Sequence, residues 1–208
     1  MLNLLALSAI RGIVFDLDGT LVSSSLNFSW LKQTLACPLD QDLLAFVETI
    51  EDTSERDKAS QFICEHEMQD AQQAFALTGA VELVRYIAQR EMPMAVVTRN
   101  SKFAAQLKMS QNDLPISRLI SREDYPPKPA PDALLAIAQS WQLPAQAILY
   151  VGDYHYDVQA ANNAGMVACL INHGVATTYQ DEAQWVFSEL DELEMALRKS
   201  FNGHKVLA

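Results

Sequence analysis

Two aspartates stand two residues apart in the stretch Ile13-Val14-Phe15-Asp16-Leu17-Asp18-Gly19-Thr20. In an extended chain, residues i and i+2 point to the same side. The carboxylates of Asp16 and Asp18 can therefore share one small volume. Like charges that close repel unless a cation or a proton relieves them. The pair asks for a divalent, oxygen-seeking metal, for a raised pKa on one partner, or for both. Gly19, without a Cβ, allows a sharp turn beside the pair. Three later clusters carry similar potential. Thr98 follows the apolar run Met94-Ala95-Val96-Val97, where a hydroxyl and backbone amides at a helix start could hold an anion. Lys128 is braced between Pro127 and Pro129, which restrain a flexible cation. Asp153 and Asp157 lie four apart beyond the apolar run Ile148–Val151. Taken singly, each has a plain reading: a turn threonine, a solvated lysine, a surface acid and a helix cap.

The surrounding pattern supplies elements to hold them. Gly12 to Phe15 is a short run without a polar residue, as in a parallel strand covered on both faces. Met94–Val97, Ile148–Val151 and Val167–Ile171 repeat that signature, and Leu119-Ile120 suggests a further short strand. Helical periodicity separates them. Val81, Val84, Ile87 and Ala88 share one face, Ser101 is placed to cap a helix over Lys102–Met109, and Pro131 opens a helix carrying Leu134, Ile137 and Trp141. A helix from Asp157 to Ala164 stops at Gly165, and another covers Glu189–Ser200. Strands alternating with helices predict an α/β fold: a three-layer, Rossmann-like core with a mainly parallel sheet. In open sheets of that kind, ligands bind beyond the carboxyl ends of the strands, where Asp16, Thr98 and Asp153 would lie. Between Leu26 and about Ala76 the pattern is helical throughout, with no strand run, after a polar hinge at Ser23-Ser24-Ser25. This predicts a small all-helical insertion after the first strand.

The chain has 208 residues, half of them hydrophobic, and a formal net charge of -11. An acidic balance argues against a nucleic-acid or anionic-membrane surface but leaves room for a small phosphorylated ligand at a locally positive site. Cys37, Cys64 and Cys169 are scattered and odd in number, which points to a reducing, cytoplasmic setting. The apolar start, Leu2 to Ile10, is too short to span a bilayer and reads as a surface-packed leader. Oligomeric state is left open.

Together, Asp16-Leu17-Asp18-Gly19-Thr20, Thr98, Lys128 and Gly152-Asp153 with Asp157 resemble the haloacid dehalogenase superfamily, in its aspartate-nucleophile phosphatase branch. The order of the pieces and their place at strand ends both agree. The resemblance implies that Asp16 is the nucleophile and Asp18 the general acid and then base. It implies that Thr98 and Lys128 hold phosphoryl oxygens, and that Asp16, Asp153 and the backbone carbonyl of Asp18 bind Mg²⁺, with Asp157 just behind them. An acid two residues beyond the nucleophile argues against dehalogenation, because a halide leaves without a proton. The helical stretch 23–78 resembles the cap of phosphoglycolate-phosphatase-like and β-phosphoglucomutase-like members, with 1–22 and 79–208 as the core domain. The implied activity is a Mg²⁺-dependent phosphatase of a small phosphorylated metabolite. The alternatives are a phosphomutase on the same core and a non-catalytic binding protein. Two positions depart from the family pattern: Ser23, where relatives often carry an acid, and Arg99, which is read as facing solvent. His155 reads as a solvated loop residue, and His66, Trp30, Trp141 and Trp185 as packing residues.

Overall fold

The computed structural model describes residues 7–202. Among them, six strands form one sheet: β1 (Gly12–Phe15), β2 (Met94–Val97), β3 (Arg118–Ile120), β4 (Ile148–Gly152), β5 (Val167–Ile171) and β6 (Trp185–Phe187). The spatial order is β3-β2-β1-β4-β5-β6, and every neighbouring pair is parallel. The helices are α1 (Phe28–Thr34), α2 (Leu43–Glu48), α3 (Thr53–Ala71), α4 (Ala80–Ala88), α5 (Lys102–Gln111), α6 (Asp132–Trp141), α7 (His155–Ala164) and α8 (Leu190–Asn202).

The sheet is central because its inner strands β1 and β4 have no polar face to offer water. All four residues of β1 and all five of β4 are buried. Alternation then sorts them between two layers. Ile13 and Phe15 pack with α4, α5 and α8 through Leu83, Ala105 and Leu193. Val14 packs on the other side with α6 and α7 through Leu134, Ile137 and Val158. This is the expected three-layer α/β core. The strand Trp185–Phe187 is an addition to the expected set. It extends the β5 edge, where Trp185 is buried as a packing residue.

Helices α1 to α3 lie between β1 and α4 and share a separate apolar cluster of Leu31, Cys37, Leu43, Val47, Ala59 and Ile63. Each begins at a side-chain cap: Asn27, Asp42 and Asp52 accept from Trp30, Ala45 and Glu55 amides respectively. The chain enters and leaves this insertion along paired backbone, with Ser23 N bonding to Phe75 O and Leu77 N to Leu21 O.

Some expectations need correction. The start of the Leu2–Ile10 segment, up to residue 6, lies outside the described residues. Leu7 and Ile10 themselves are fully buried in the main core and not packed on the surface. Trp30 is 45% exposed, and its ring meets Phe62 and His66 at the edge of the insertion. Ser101 does occupy the cap position of α5, yet its hydroxyl makes no capping bond.

Candidate active site

Strands β1, β2 and β4 end together, and the chemistry lies just past their carboxyl ends. The order reverses here: β2 and β3 leave β1 on one side, β4 to β6 on the other. The crevice at such a reversal is open because successive crossovers depart in opposite directions. Asp16 follows β1, with its amide bonded to Val151 O at 2.8 Å. Thr98 follows β2, and Asp153 follows β4. The carboxylates of Asp16, Asp153 and Asp157 offer one oxygen each, all within 4.8 Å of one another.

Two glycines make that convergence possible. Gly19 has φ of 75°, and a Cβ there would lie 2.3 Å from Asp153 Oδ2. At Gly152 a Cβ would lie 2.4 Å from the Asp157 side chain. Any side chain at either position would occupy the space of a site carboxylate. Thr20 completes the β1 loop by donating from Oγ1 to Asp153 Oδ1 at 3.0 Å.

Lys128 is buried and reaches in from the loop before α6. Its ammonium donates to Asp16 Oδ1 and, at 2.6 Å, to Asp157 Oδ1. Asp157 is further held by the Tyr150 hydroxyl at 3.0 Å and by the Tyr154 amide at 3.0 Å on its other oxygen. With both oxygens engaged, Asp157 is built to hold Lys128 more than to offer itself to a ligand. Burial works against charge on Lys128, but Asp157 and Asp16 outweigh it and raise its pKa. Burial raises Asp16 to about 7, against the pull of Lys128. Burial and the neighbouring Asp157 and Asp16 push Asp153 up to about 8. Three carboxylates thus face one ammonium. The deficit is two positive charges, that of one divalent cation, and an all-oxygen donor set suits a hard ion such as Mg²⁺.

Asp18 keeps different company. Its carboxylate accepts from Lys108 at 2.6 Å on Oδ1 and from Asn100 Nδ2 at 2.9 Å on Oδ2. Asn100 also bonds Thr98 Oγ1 twice, through its amide at 3.1 Å and its side chain at 3.0 Å. With both bonds accepted, the Thr98 hydroxyl proton is available as a donor. Asp16 and Asp18 therefore line one cavity but engage separate lysines. That cavity, about 430 Å³, is also lined by Leu26, Phe28, Lys32 and Leu43 of the insertion.

Arg99 does not face solvent. Its guanidinium donates to the Lys128 carbonyl, pairs with Asp42 of the insertion and lies 4.7 Å from the Tyr156 ring centre. His155 is the first residue of α7 and not a loop residue; it bonds Glu182 at 3.1 Å and stacks on Tyr179. Sequence reasoning named Thr20 within the motif without a role, and missed Asn100, Tyr150 and Lys108. A signal existed for Lys108: it falls on the same helical face as Ala104, Ala105 and Met109, where a charged residue needs a buried partner.

Residues 13–171 match the model of the haloacid dehalogenase-like hydrolase family. The chain is 26% identical over 179 residues to a haloacid dehalogenase-like hydrolase domain-containing protein of Arabidopsis thaliana, covering 80% of this chain and 73% of that protein. It is 27% identical over 216 residues to hexitol phosphatase A of Escherichia coli, covering 95% and 98% of the two chains. A hydrolase from Pseudomonas syringae, 22% identical, superposes with a TM-score of 0.76 over 91% of this chain and 98% of its own. No helix among the described residues is long and apolar enough to cross a membrane. By the match of its sequence and the order of its site residues, the chain belongs to the haloacid dehalogenase-like hydrolases.

Proposed function

We propose that this hydrolase is a Mg²⁺-dependent phosphatase acting on small phosphorylated metabolites through an aspartyl-phosphate at Asp16. The observation that carries the reading is the separation of two aspartates between two lysines: Lys128 on Asp16, and Lys108 on Asp18. Phosphoryl transfer asks a protein mainly for in-line positioning and charge neutralisation. In this reading an Asp16 oxygen attacks phosphorus, and the P–O ester bond breaks with its electron pair on the leaving oxygen. Asp18 gives that oxygen its proton. Water then attacks the aspartyl-phosphate, Asp18 takes the proton, and Asp16 is restored. Lys128 and the Thr98 hydroxyl hold phosphoryl oxygens, and Asp157 keeps Lys128 in place. Asp16, Asp153 and the Asp18 carbonyl would hold Mg²⁺, which supplies charge neutralisation when bound.

The helices of 23–78 act as the cap over a core formed by 1–22 and 79–208. A cavity of about 430 Å³ under them suits a metabolite and not a phosphoprotein. The name of the Escherichia coli relative, a hexitol phosphatase, supports a substrate of that size. Three free cysteines fit a cytoplasmic enzyme. The test is release of inorganic phosphate from a panel of phosphate esters with and without Mg²⁺. Mg²⁺-dependent release is expected. Isomerisation of a sugar phosphate with little free phosphate, or no turnover by well-folded protein, would overturn the reading.

A further inference from the structure

Lys108 has no place in the reaction as described, yet it is a second buried ammonium in the site. It projects from α5, is fully buried and places its ammonium 2.6 Å from Asp18 Oδ1 and 2.6 Å from Asp70 Oδ2. The cost of burying an ammonium is offset only by good pairing, and an apolar residue of similar volume is often as stabilising at such a position. Stability alone does not account for it. We propose that Lys108 is a positioning residue for Asp18, setting which oxygen carries the transferable proton and holding that oxygen toward the cavity. The proposal rests on the reading of Asp18 as general acid.

The geometry is specific. An ammonium has three donors and no acceptor. Oδ1 of Asp18 can therefore only accept, and a proton on this carboxyl must sit on Oδ2. Oδ2 retains a lone pair for the Asn100 amide, which also bonds Thr98. The acid is thus oriented by Lys108 on one side and, through Asn100, is registered to Thr98 on the other. Without Lys108, the Asp18 side chain, 22% exposed, keeps only the Asn100 bond to hold it. Lys108 is in turn anchored from outside the sheet domain. Asp70, at the end of α3, also accepts from Ser24 Oγ at 3.0 Å, Ser25 N at 2.6 Å and Ser25 Oγ at 2.8 Å. One carboxylate therefore ties the entry connection of the helical insertion and the end of α3 to the lysine that holds the acid.

The test compares kcat/KM for p-nitrophenyl phosphate and phenyl phosphate in the wild type, Lys108→Met and Asp18→Asn. p-Nitrophenolate leaves with little help from an acid, whereas phenolate needs more. Lys108→Met is expected to lower kcat/KM for phenyl phosphate at least about tenfold more than for p-nitrophenyl phosphate, a part of the roughly 100-fold or greater effect of a general acid. Asp18→Asn is expected to show the same selectivity, more strongly. Removing Lys108 leaves buried Asp70 and half-buried Asp18 without their cation, so Asp70→Asn is made in parallel; if Lys108→Met does not fold, Asp70→Asn is judged by the same criterion. Equal losses on both esters, or none, in a folded variant while Asp18→Asn remains selective would overturn the role of Lys108 alone. Equal losses in Asp18→Asn would overturn the acid assignment itself.

Discussion

Asp16 and Asp18 differ in sequence position by two and in environment by almost everything else. Asp16 is buried against Lys128, beside Asp153 and Asp157. Asp18 reaches the cavity between Lys108 and Asn100. Phosphoryl transfer through Asp16 needs its carboxylate, so Asp16→Asn is expected to abolish turnover and all phosphoenzyme. On the proposed roles, Asp18→Asn removes the proton donor and the later base. With acetyl phosphate, whose leaving group needs no proton, the first step is expected to survive and the second to slow. Phosphoenzyme then accumulates on Asp16, measurable by mass spectrometry of acid-quenched protein. A phosphoryl group on another residue, or equal loss of phosphoenzyme in both variants, would contradict the assignment.

At the scale of elements, the site is a set of loops held at strand ends, and its accuracy depends on backbone as much as on side chains. The β1 loop turns at Gly19 with φ of 75° directly against Asp153. Gly19→Ala would meet a left-handed penalty of about 1–2 kcal/mol, and the new methyl would push Asp153 from its place. The expected result is a Tm lower by roughly 2–8 °C together with weakened Mg²⁺ binding, measured by thermal unfolding and by metal titration. The insertion is joined to the core by ion pairs of unequal exposure. Arg122–Glu67 and Lys108–Asp70 are largely buried, whereas Arg99 and Asp42 are 24% and 26% exposed. A partly exposed pair of this kind is still screened by solvent and adds about 1 kcal/mol or less. Arg99→Ala is therefore expected to leave Tm within about 4 °C while raising KM for p-nitrophenyl phosphate severalfold, because Arg99 also donates to the Lys128 carbonyl beside the site. A large fall in Tm with KM unchanged would show that this pair is structural.

For the whole molecule, acidity and stability are linked. Burial and crowding raise Asp16 to about 7 and Asp153 to about 8, well above an unfolded aspartate. Between about pH 4 and pH 8 the folded state therefore retains protons that the unfolded chain has released. The contribution of these groups is fully present below the unfolded value and is lost as pH rises through the folded ones. Metal-free protein is expected to lose Tm from pH 5 to pH 8.5, and the formal charge of -11 adds repulsion in the same direction. A divalent cation held by Asp16 and Asp153 would reverse this, so saturating Mg²⁺ should raise Tm more at pH 8 than at pH 5. Thermal scans across pH, with and without chelator, measure both effects. Asp153→Asn should flatten the metal-free slope. A slope unchanged by that substitution would show that the dependence does not originate in the buried carboxylates.

What the sequence determined by itself is what local rules govern. Unbroken apolar runs specify covered strands, so β1, β2, β4 and β5 were legible, and with them the strand ends where Asp16, Thr98 and Asp153 lie. Gly19 and Gly165 announced turns because only a residue without a Cβ takes a left-handed backbone at little cost. The three residues of β6 carried too little periodicity to separate a strand from a loop; the exposed edge of β5 makes them one. Only the tertiary structure decided which charge meets which. Arg99 reaches Asp42 across 57 positions, and Lys108 reaches Asp18 across 90 and Asp70 across 38. No sequence period encodes such distances. They follow from how α3 and α5 pack beside the sheet, which buries one ammonium where two carboxylates from distant parts of the chain come within its reach.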